Sequence, residues 1–313
     1  MTTSEAPVLS DDGGRARLPD RSGVATSEDG TSIAYDVYGE AGTPTLVLLP
    51  SSPIIHSRQW KGQVAYLSRH FRVVTFDGRG NGRSDRPLDP AAYTDRGYVQ
   101  DIAAVMDATA TGSAVLVGLC ADGVWRSMIL AAEDRSRVLG IVAFAVGVPR
   151  LSPMHPFRAG NDFEAELPAY DGWALVNRHV WETDYPRFAR FWFSATTTER
   201  HSSKAIEDAV GWALDGSPEV MLAETGAPPL PGLDEIEAVC RAAAQVPMLL
   251  VHGTDDHCQP VARAHRLAEL TGAALVIVEG ADHMIPGRHP VLANLLIRDF
   301  VRSLDASAGG RTA

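Results

Sequence analysis

The chain has 313 residues, with 28 lysines and arginines against 39 aspartates and glutamates and a hydrophobic fraction of 45%. A net charge of −11 without a basic run argues against binding to nucleic acid or to an anionic membrane surface. Three cysteines are too few for a disulfide framework, and we find neither an export signal nor a membrane-spanning apolar segment, so the composition favours a soluble, cytoplasmic protein.

Polar stretches rich in glycine and serine lie at both ends, and we expect residues 1–21 and 305–313 to be disordered tails. Between them, short β-branched segments alternate with stretches of helical spacing. The predicted strands are TSIAYDVYG (31–39), TLVLLP (45–50), FRVVTFD (71–77), AVLVGL (114–119), VLGIVAFAV (138–146), MLLVHG (248–253) and ALVIVEG (274–280). All but the first are nearly continuous apolar runs, which are typical of parallel strands covered on both faces by helices. The predicted fold class is α/β, a mostly parallel open sheet flanked by helices, with 31–39 as an antiparallel edge strand.

The strand AVLVGL runs directly into GLCADG (118–123) and then into a segment of helical spacing. A strand, a tight turn and a helix in this order present the central side chain, here Cys120, at a helix N-terminus, where the helix dipole favours a thiolate. Most free cysteines are buried and inert. The position of Cys120 between Gly118 and Gly123 nevertheless favours a nucleophile.

About 100 residues separate the strand ending near Val146 from the strand starting near Pro247. We therefore expect a helical insertion over residues 148–239, between the two parts of one core, 22–147 and 240–304. The insertion is rich in aromatic residues, which are Trp173, Trp181, Tyr185, Phe188, Phe191, Trp192, Phe193 and Trp212. These side chains either fill a small core of the insertion itself or cover an apolar pocket beyond the carboxyl ends of the strands.

A thiol nucleophile needs a base within hydrogen-bond reach. His283 lies in GADHMIP, directly after the last predicted strand, so we expect it at the same edge of the sheet as Cys120. His252 and His257 flank the end of the preceding strand and are weaker candidates.

The base needs an acid that orients it. Asp255 and Asp256 in GTDDHCQP follow the strand at 248–253, and we favour Asp256 for this role. The other aspartate is then expected to form the turn or to cap the helix that starts near Pro260.

The order of nucleophile, acid and histidine, with the insertion between the first two, resembles that of the α/β-hydrolase superfamily. The resemblance covers residues 24–304 and rests on GLCADG, GTDDHCQP, GADHMIP and the loop FDGRGNGRSDRP (76–87), whose arginines and Asp77 we expect to fix the loop. It implies an α/β-hydrolase fold whose insertion is a helical lid similar to that of an actinobacterial subgroup. It also implies a catalytic triad of Cys120, His283 and Asp256.

The chain departs from the family at the elbow. Cys120 stands where serine is usual, and Asp122 stands where glycine is usual, so its carboxylate either turns away or grips a substrate amine. The resemblance implies an oxyanion hole made by the N–H of Ala121 and by that of Ser51 or Ser52, because the prolines beside these serines have no N–H.

Attack by Cys120 on an ester or thioester yields an acyl thioester, which passes its acyl group to amines and thiols readily. Our leading hypothesis is acyl transfer or thioester or ester hydrolysis, on a small acyl substrate that is free or presented by a carrier protein or coenzyme A in a biosynthetic pathway. Candidate pocket residues are Asp122, Trp125, Trp181 and Trp192. Elimination chemistry with histidine as a proton shuttle, and a non-catalytic ligand-binding role, remain alternatives. The sequence shows no phosphate-binding loop and no metal-ligand spacing, so it predicts no cofactor and no metal.

Overall fold

Eight strands form one sheet in the computed structural model, which describes residues 17–40, 44–51, 53–158 and 162–309. The strands are β1 (Arg21–Thr26), β2 (Ser32–Tyr38), β3 (Thr45–Leu48), β4 (Arg72–Phe76), β5 (Ala114–Leu119), β6 (Val138–Phe144), β7 (Met248–Gly253) and β8 (Ala274–Val278). They lie in the order β1-β2-β4-β3-β5-β6-β7-β8, and all pairs from β4 to β8 are parallel. This arrangement confirms the predicted α/β class with a mostly parallel sheet.

Helices cover both faces of this sheet. They are α1 (Lys61–Leu67), α2 (Asp95–Ala108), α3 (Cys120–Glu133), α4 (Arg178–Thr196), α5 (Ser203–Leu214), α6 (Pro218–Thr225), α7 (Leu233–Ala243), α8 (Val261–Thr271), α9 (Ile285–Arg288) and α10 (Pro290–Gly309). The apolar side chains of α2, α3, α7 and α8 form one core layer, and those of α1 and α10 belong to the layer on the opposite face. Within the described ranges, no helix is both long and apolar enough to cross a membrane.

The edge of the sheet differs from the prediction. β1 pairs antiparallel with β2 and β2 pairs antiparallel with β4, so β1 is the edge strand and β2 lies inside the sheet. Most side chains of β1 are exposed, so its segment RSGVAT has no apolar run that would predict a strand. The predicted N-terminal tail, 1–21, overlaps β1 at its first residue, Arg21. At the other end, α10 continues to Gly309, so the first part of the predicted C-terminal tail, 305–313, is helical. Residues 1–16 and 310–313 lie outside the described part.

The segment between β6 and β7 leaves the sheet and contains α4, α5 and α6, whose apolar side chains pack on the same core layer as α1 and α10. Helix α4 is kinked at Asp184, because Pro186 lacks the N–H of a regular helix and clashes with the preceding turn. Helix α7 spans position 239, where the sequence analysis ends the insertion. It packs against α3 and α8 in the layer that flanks the sheet.

Buried ion pairs hold the loop after β4. The guanidinium of Arg79 is fully buried and donates to both carboxylate oxygens of Asp101, at 2.7 and 2.8 Å. Arg83 donates to Asp36 at 2.9 Å and to Asp77 at 3.0 Å. These residues therefore fix the loop, as expected from the sequence.

We expect Arg79→Leu to lower the free energy of unfolding by about 3–5 kcal/mol, since it leaves the buried Asp101 carboxylate without its partner. Guanidinium denaturation measures the change. Arg96→Leu is the matched control: the Arg96 side chain is 76% exposed and lies 3.9 Å from Glu28, so we expect a change within about 0.5 kcal/mol. Equal denaturation midpoints for the two variants would contradict this account of the loop.

Candidate active site

The turn from β5 into α3 places Cys120 in a strained conformation. Its φ angle is +64°, in the left-handed region that non-glycine residues rarely adopt. The turn is crowded: a Cβ on Gly118 would lie 2.5 Å from the backbone of Gly123, and a Cβ on Gly147 would lie 2.3 Å from the amide nitrogen of Ala121. Gly118 in β5 and Gly147 in the segment after β6 thus allow the sharp elbow that presents the Cys120 side chain.

We expect Gly147→Ala to lower the free energy of unfolding by about 1–3 kcal/mol, because the new methyl group meets backbone that cannot rotate away. It also displaces the Ala121 amide, so turnover falls as well. Gly211→Ala in α5 is the control: its Cβ meets no atom within 4 Å, and alanine stabilises a helix interior by up to about 1 kcal/mol. Thermal unfolding distinguishes the two. A Gly147→Ala protein as stable as the wild type would show that the elbow is not close-packed.

Asp256 orients the histidine. Its buried carboxylate accepts the Nδ1–H of His283 at 2.9 and 3.0 Å and the backbone N–H groups of Cys258 and Gln259, both at 2.8 Å. Burial disfavours the charge of this carboxylate, but His283 and His252 outweigh burial and hold the pKa of Asp256 well below its usual range. The imidazole of His283 is therefore held with Nε2 free to act on a neighbouring group.

That neighbouring group is a pair of thiols. The Sγ atoms of Cys120 and Cys258 and a ring nitrogen of His283 all lie within 4.8 Å of one another. The pKa of Cys258 is lowered by the hydrogen bond that it accepts from the Cys120 thiol and by the nearby His283, although burial opposes this shift. The pKa of Cys120 is raised, because the same hydrogen bond and burial both favour its protonated form. Burial lowers the pKa of His283, but Asp256 and the two cysteines outweigh burial and raise this pKa well above its usual range. The Nε2 of Gln259 donates to Cys120 Sγ at 3.5 Å.

The weaker candidates lie elsewhere. Asp255 is half exposed and pairs with the partly exposed His257 at 3.3 Å. His252 is fully buried, and its Nε2 lies 3.3 Å from the Asp256 carboxylate. Its ring does not line the cavity next to Cys120. The structure therefore brings Asp256, not Asp255, to His283.

The predicted oxyanion donors flank the elbow. Ala121 is the second residue of α3, and N–H groups in the first turn of a helix have no partner within the helix. Ser51 is buried beside the elbow, and its hydroxyl donates to the carbonyl of Leu119 at 3.3 Å. Ser52 lies outside the described residues.

A cavity of about 260 Å³ opens over these groups, and apolar side chains form most of its wall. Besides Cys120 and His283, its lining includes Ile54, Ile55, Leu119, Val176, Trp181, Phe188, Trp192, Phe193, Met221 and Met284. Several of these belong to α4 and α6, so the inserted helices form one wall of the cavity. The indole Nε1 of Trp181 is buried and has no hydrogen-bond partner among the described residues.

Three of the four predicted pocket residues, Asp122, Trp181 and Trp192, line this cavity. The carboxylate of Asp122 is bound by Arg126 at 2.7 Å. The prediction for Trp125 is wrong: its ring is buried in the core on the other face of the sheet, and its Nε1 donates to Asp95 at 2.8 Å. Five residues after Cys120, a helical side chain points about 140° away from it.

Sequence reasoning missed Cys258 and Arg158. Arg158 donates to the carbonyl of Cys258 at 2.5 Å, lies 3.8 Å from its Sγ, and stacks over Trp173 and Trp192. Cys258 stands two residues after Asp256, inside a turn already singled out for its acids. Cys258 lies close to Cys120 because the segments that follow β5 and β7 share one edge of the sheet. Residue spacing within either segment does not indicate this contact.

Comparison with known proteins gives matches along most of the chain. Residues 44–290, from β3 to the start of α10, match the family model of the alpha/beta hydrolase fold. The chain is 27% identical over 303 residues to a non-heme chloroperoxidase of Streptomyces lividans, with 90% of this chain and 100% of the relative covered. It is 27% identical over 292 residues to the bifunctional esterase/perhydrolase DCH of Acinetobacter calcoaceticus, with the same coverage. The esterase RhEst1 from Rhodococcus sp. ECU1013 superposes with a TM-score of 0.71 at 25% identity, covering 90% of this chain and 99% of that one.

Proposed function

Because the chain belongs to the α/β-hydrolase fold family, we propose that it is an esterase-like hydrolase whose nucleophile is the Cys120 thiol, with His283 as base and Asp256 as the acid that orients it. One observation carries the proposal. A strained elbow presents the Cys120 thiol beside the imidazole that Asp256 holds at 2.9 Å, at the wall of an apolar cavity. Related proteins named as esterases support hydrolysis.

In the acylation step, the Cys120 sulfur attacks the carbonyl carbon of an ester or thioester. The thiol proton passes to Nε2 of His283, and the Asp256 carboxylate stabilises the resulting imidazolium through Nδ1. The carbonyl oxygen becomes an oxyanion, which the N–H of Ala121 and the N–H of Ser51 or Ser52 stabilise. His283 then returns the proton to the departing alcohol or thiol, and an acyl thioester on Cys120 remains.

Deacylation uses the same groups in reverse. His283 removes a proton from an acceptor, which attacks the thioester carbonyl. The carbon–sulfur bond then breaks, and His283 returns the proton to the sulfur of Cys120. With water as the acceptor, the reaction is hydrolysis. With an amine or a thiol, it is acyl transfer, which a thioester favours more than an oxygen ester does.

The cavity indicates the substrate class. At about 260 Å³ it is slightly smaller than the roughly 300–1,000 Å³ of drug-sized pockets, so it suits a compact acyl group. Its wall is mostly apolar, and Trp181, one of the lining residues, has an indole N–H without a hydrogen-bond partner among the described residues. We propose a compact, apolar acyl group carrying one oxygen acceptor, with the leaving group outside the cavity on a small alcohol, coenzyme A or a carrier protein.

The test is a substrate panel in which straight-chain acyl groups of increasing length are offered as p-nitrophenyl esters, N-acetylcysteamine thioesters and coenzyme A thioesters. We expect kcat/KM to be highest for short acyl groups and to fall once the chain exceeds the cavity. Absence of turnover with every member, or turnover that needs His283 but not Cys120, would contradict the proposal. The second result would favour proton-shuttle chemistry instead.

A further inference from the structure

Three side chains at the wall of the cavity have the chemistry of a metal site. The Sγ atoms of Cys120 and Cys258 and a ring nitrogen of His283 lie within 4.8 Å of one another. Because Nδ1 of His283 is bound to Asp256, the nitrogen that faces the thiols is Nε2. Zinc–sulfur bonds of about 2.3 Å and zinc–nitrogen bonds of about 2.0 Å place tetrahedral ligand atoms about 3.5–3.8 Å apart. Closing this triangle therefore requires each of the three distances to shorten by about 1.3 Å at most.

We propose that Cys120, Cys258 and His283 bind one Zn²⁺ ion, with the fourth coordination position facing the apolar cavity. Two thiolates and one imidazole are a known ligand set for zinc, and thiolates select it over harder cations such as Mg²⁺. This inference goes beyond the proposed hydrolysis and does not depend on it.

The residues around these three ligands resemble those around zinc sites in proteins. Histidine ligands of zinc usually donate their second N–H to a carboxylate, which fixes the ring and its tautomer. Asp256 does this for His283 at 2.9 Å. The same carboxylate accepts the backbone N–H of Cys258 at 2.8 Å. One buried group thus positions two of the three ligands.

Charge around the triangle also permits a cation. The guanidinium of Arg158 lies 3.8 Å from Cys258 Sγ, and Arg263 is held at the site by its 2.6 Å bond to Gln259. When both thiols have lost their protons and His283 is neutral, as zinc coordination requires, the two thiolates and the Asp256 carboxylate outnumber these two positive charges by one.

Binding has a chemical consequence. Each thiol loses its proton to solvent as its sulfur coordinates the metal, so zinc binding releases protons and is weaker at low pH. The bound ion occupies the lone pairs of Cys120 Sγ and His283 Nε2. Any reaction that uses these atoms stops while the ion is bound and resumes when a chelator removes it.

Titration of the reduced, untagged protein with Co²⁺ tests the site without any substrate. We expect sulfur-to-cobalt charge-transfer absorption and the visible bands of tetrahedral cobalt, saturating at one ion per chain, and displacement of Co²⁺ by Zn²⁺. Cys258→Ala and Cys258→Ser should remove these bands, and circular dichroism shows whether each variant is folded. Cys240→Ala is the matched control, because Cys240 is buried in the core layer away from the cavity. It should bind like the wild type.

Asp256→Asn should weaken zinc binding by roughly 10- to 100-fold, the usual effect of losing the carboxylate that holds a histidine ligand. His283→Gln should weaken it further. Absence of the charge-transfer band in the folded wild type, or its persistence in a folded Cys258 variant, would overturn the proposal. Because these measurements use no substrate, they fail or succeed independently of the hydrolase activity.

Discussion

Replacing Cys120 by alanine is expected to lower kcat for the best ester or thioester by about 10⁴-fold or more, the range seen when the nucleophile of a catalytic triad is removed. The reason is direct: without Sγ no acyl-enzyme can form, and only the oxyanion donors and the pocket remain. The elbow itself should survive, because alanine is smaller than cysteine and the tight contacts at this turn are made by backbone atoms around Gly118, Gly123 and Gly147. Steady-state kinetics with circular dichroism on the same preparation measures the effect.

Two further variants serve as an intermediate and a control for the Cys120→Ala measurement. Cys120→Ser keeps a nucleophilic atom at the elbow and restores the residue usual in the family, so we expect activity between that of the alanine variant and the wild type. Cys240→Ala removes a thiol far from the cavity and should leave kcat/KM unchanged. Wild-type turnover by Cys120→Ala would refute a covalent mechanism.

Asp256→Asn is the second change with a large expected effect. The amide cannot act as a negatively charged acceptor for Nδ1–H, so His283 adopts the wrong tautomer and the imidazolium loses its counter-charge. A comparable change in a serine protease triad lowers kcat by about 10⁴-fold, and we expect a similar loss here. KM should change much less, because Asp256 does not line the cavity.

The neighbouring aspartate provides the control. Asp255 differs from Asp256 by one position in the chain, but it is half exposed and pairs with His257 instead of His283. Asp255→Asn should therefore keep the wild-type kcat. If Asp255→Asn were inactive and Asp256→Asn active, the assignment of the orienting acid would be wrong.

The core of the fold was predictable because most of its parallel strands are buried on both faces. Such strands appear as continuous apolar runs, and their order in the chain already places the segments after β5, β7 and β8 at one edge of the sheet. Cys120, Asp256 and His283 each follow one of these strands directly. Their convergence is thus a consequence of topology that sequence patterns carry.

Other features were not accessible in this way. β1 pairs only along one edge and exposes most of its side chains, so its sequence lacks the apolar signal of a strand. The face of α3 on which Trp125 lies depends on where the helix begins after the strained turn, and the sequence does not determine that start. Cys258 follows β7 as Asp256 does, but its pairing with Cys120 depends on the direction of its side chain within that turn, which the strand order does not determine.

Intact-mass measurement after brief incubation with acyl thioesters tests the central claim most directly. We predict a mass increase equal to one acyl group on the wild-type chain, located on Cys120 by peptide mapping and absent from Cys120→Ala. The adduct should accumulate in His283→Ala when an activated ester is used, because deacylation needs the base. Turnover without any adduct, or an adduct of equal size in Cys120→Ala, would contradict the assignment of Cys120 as the nucleophile.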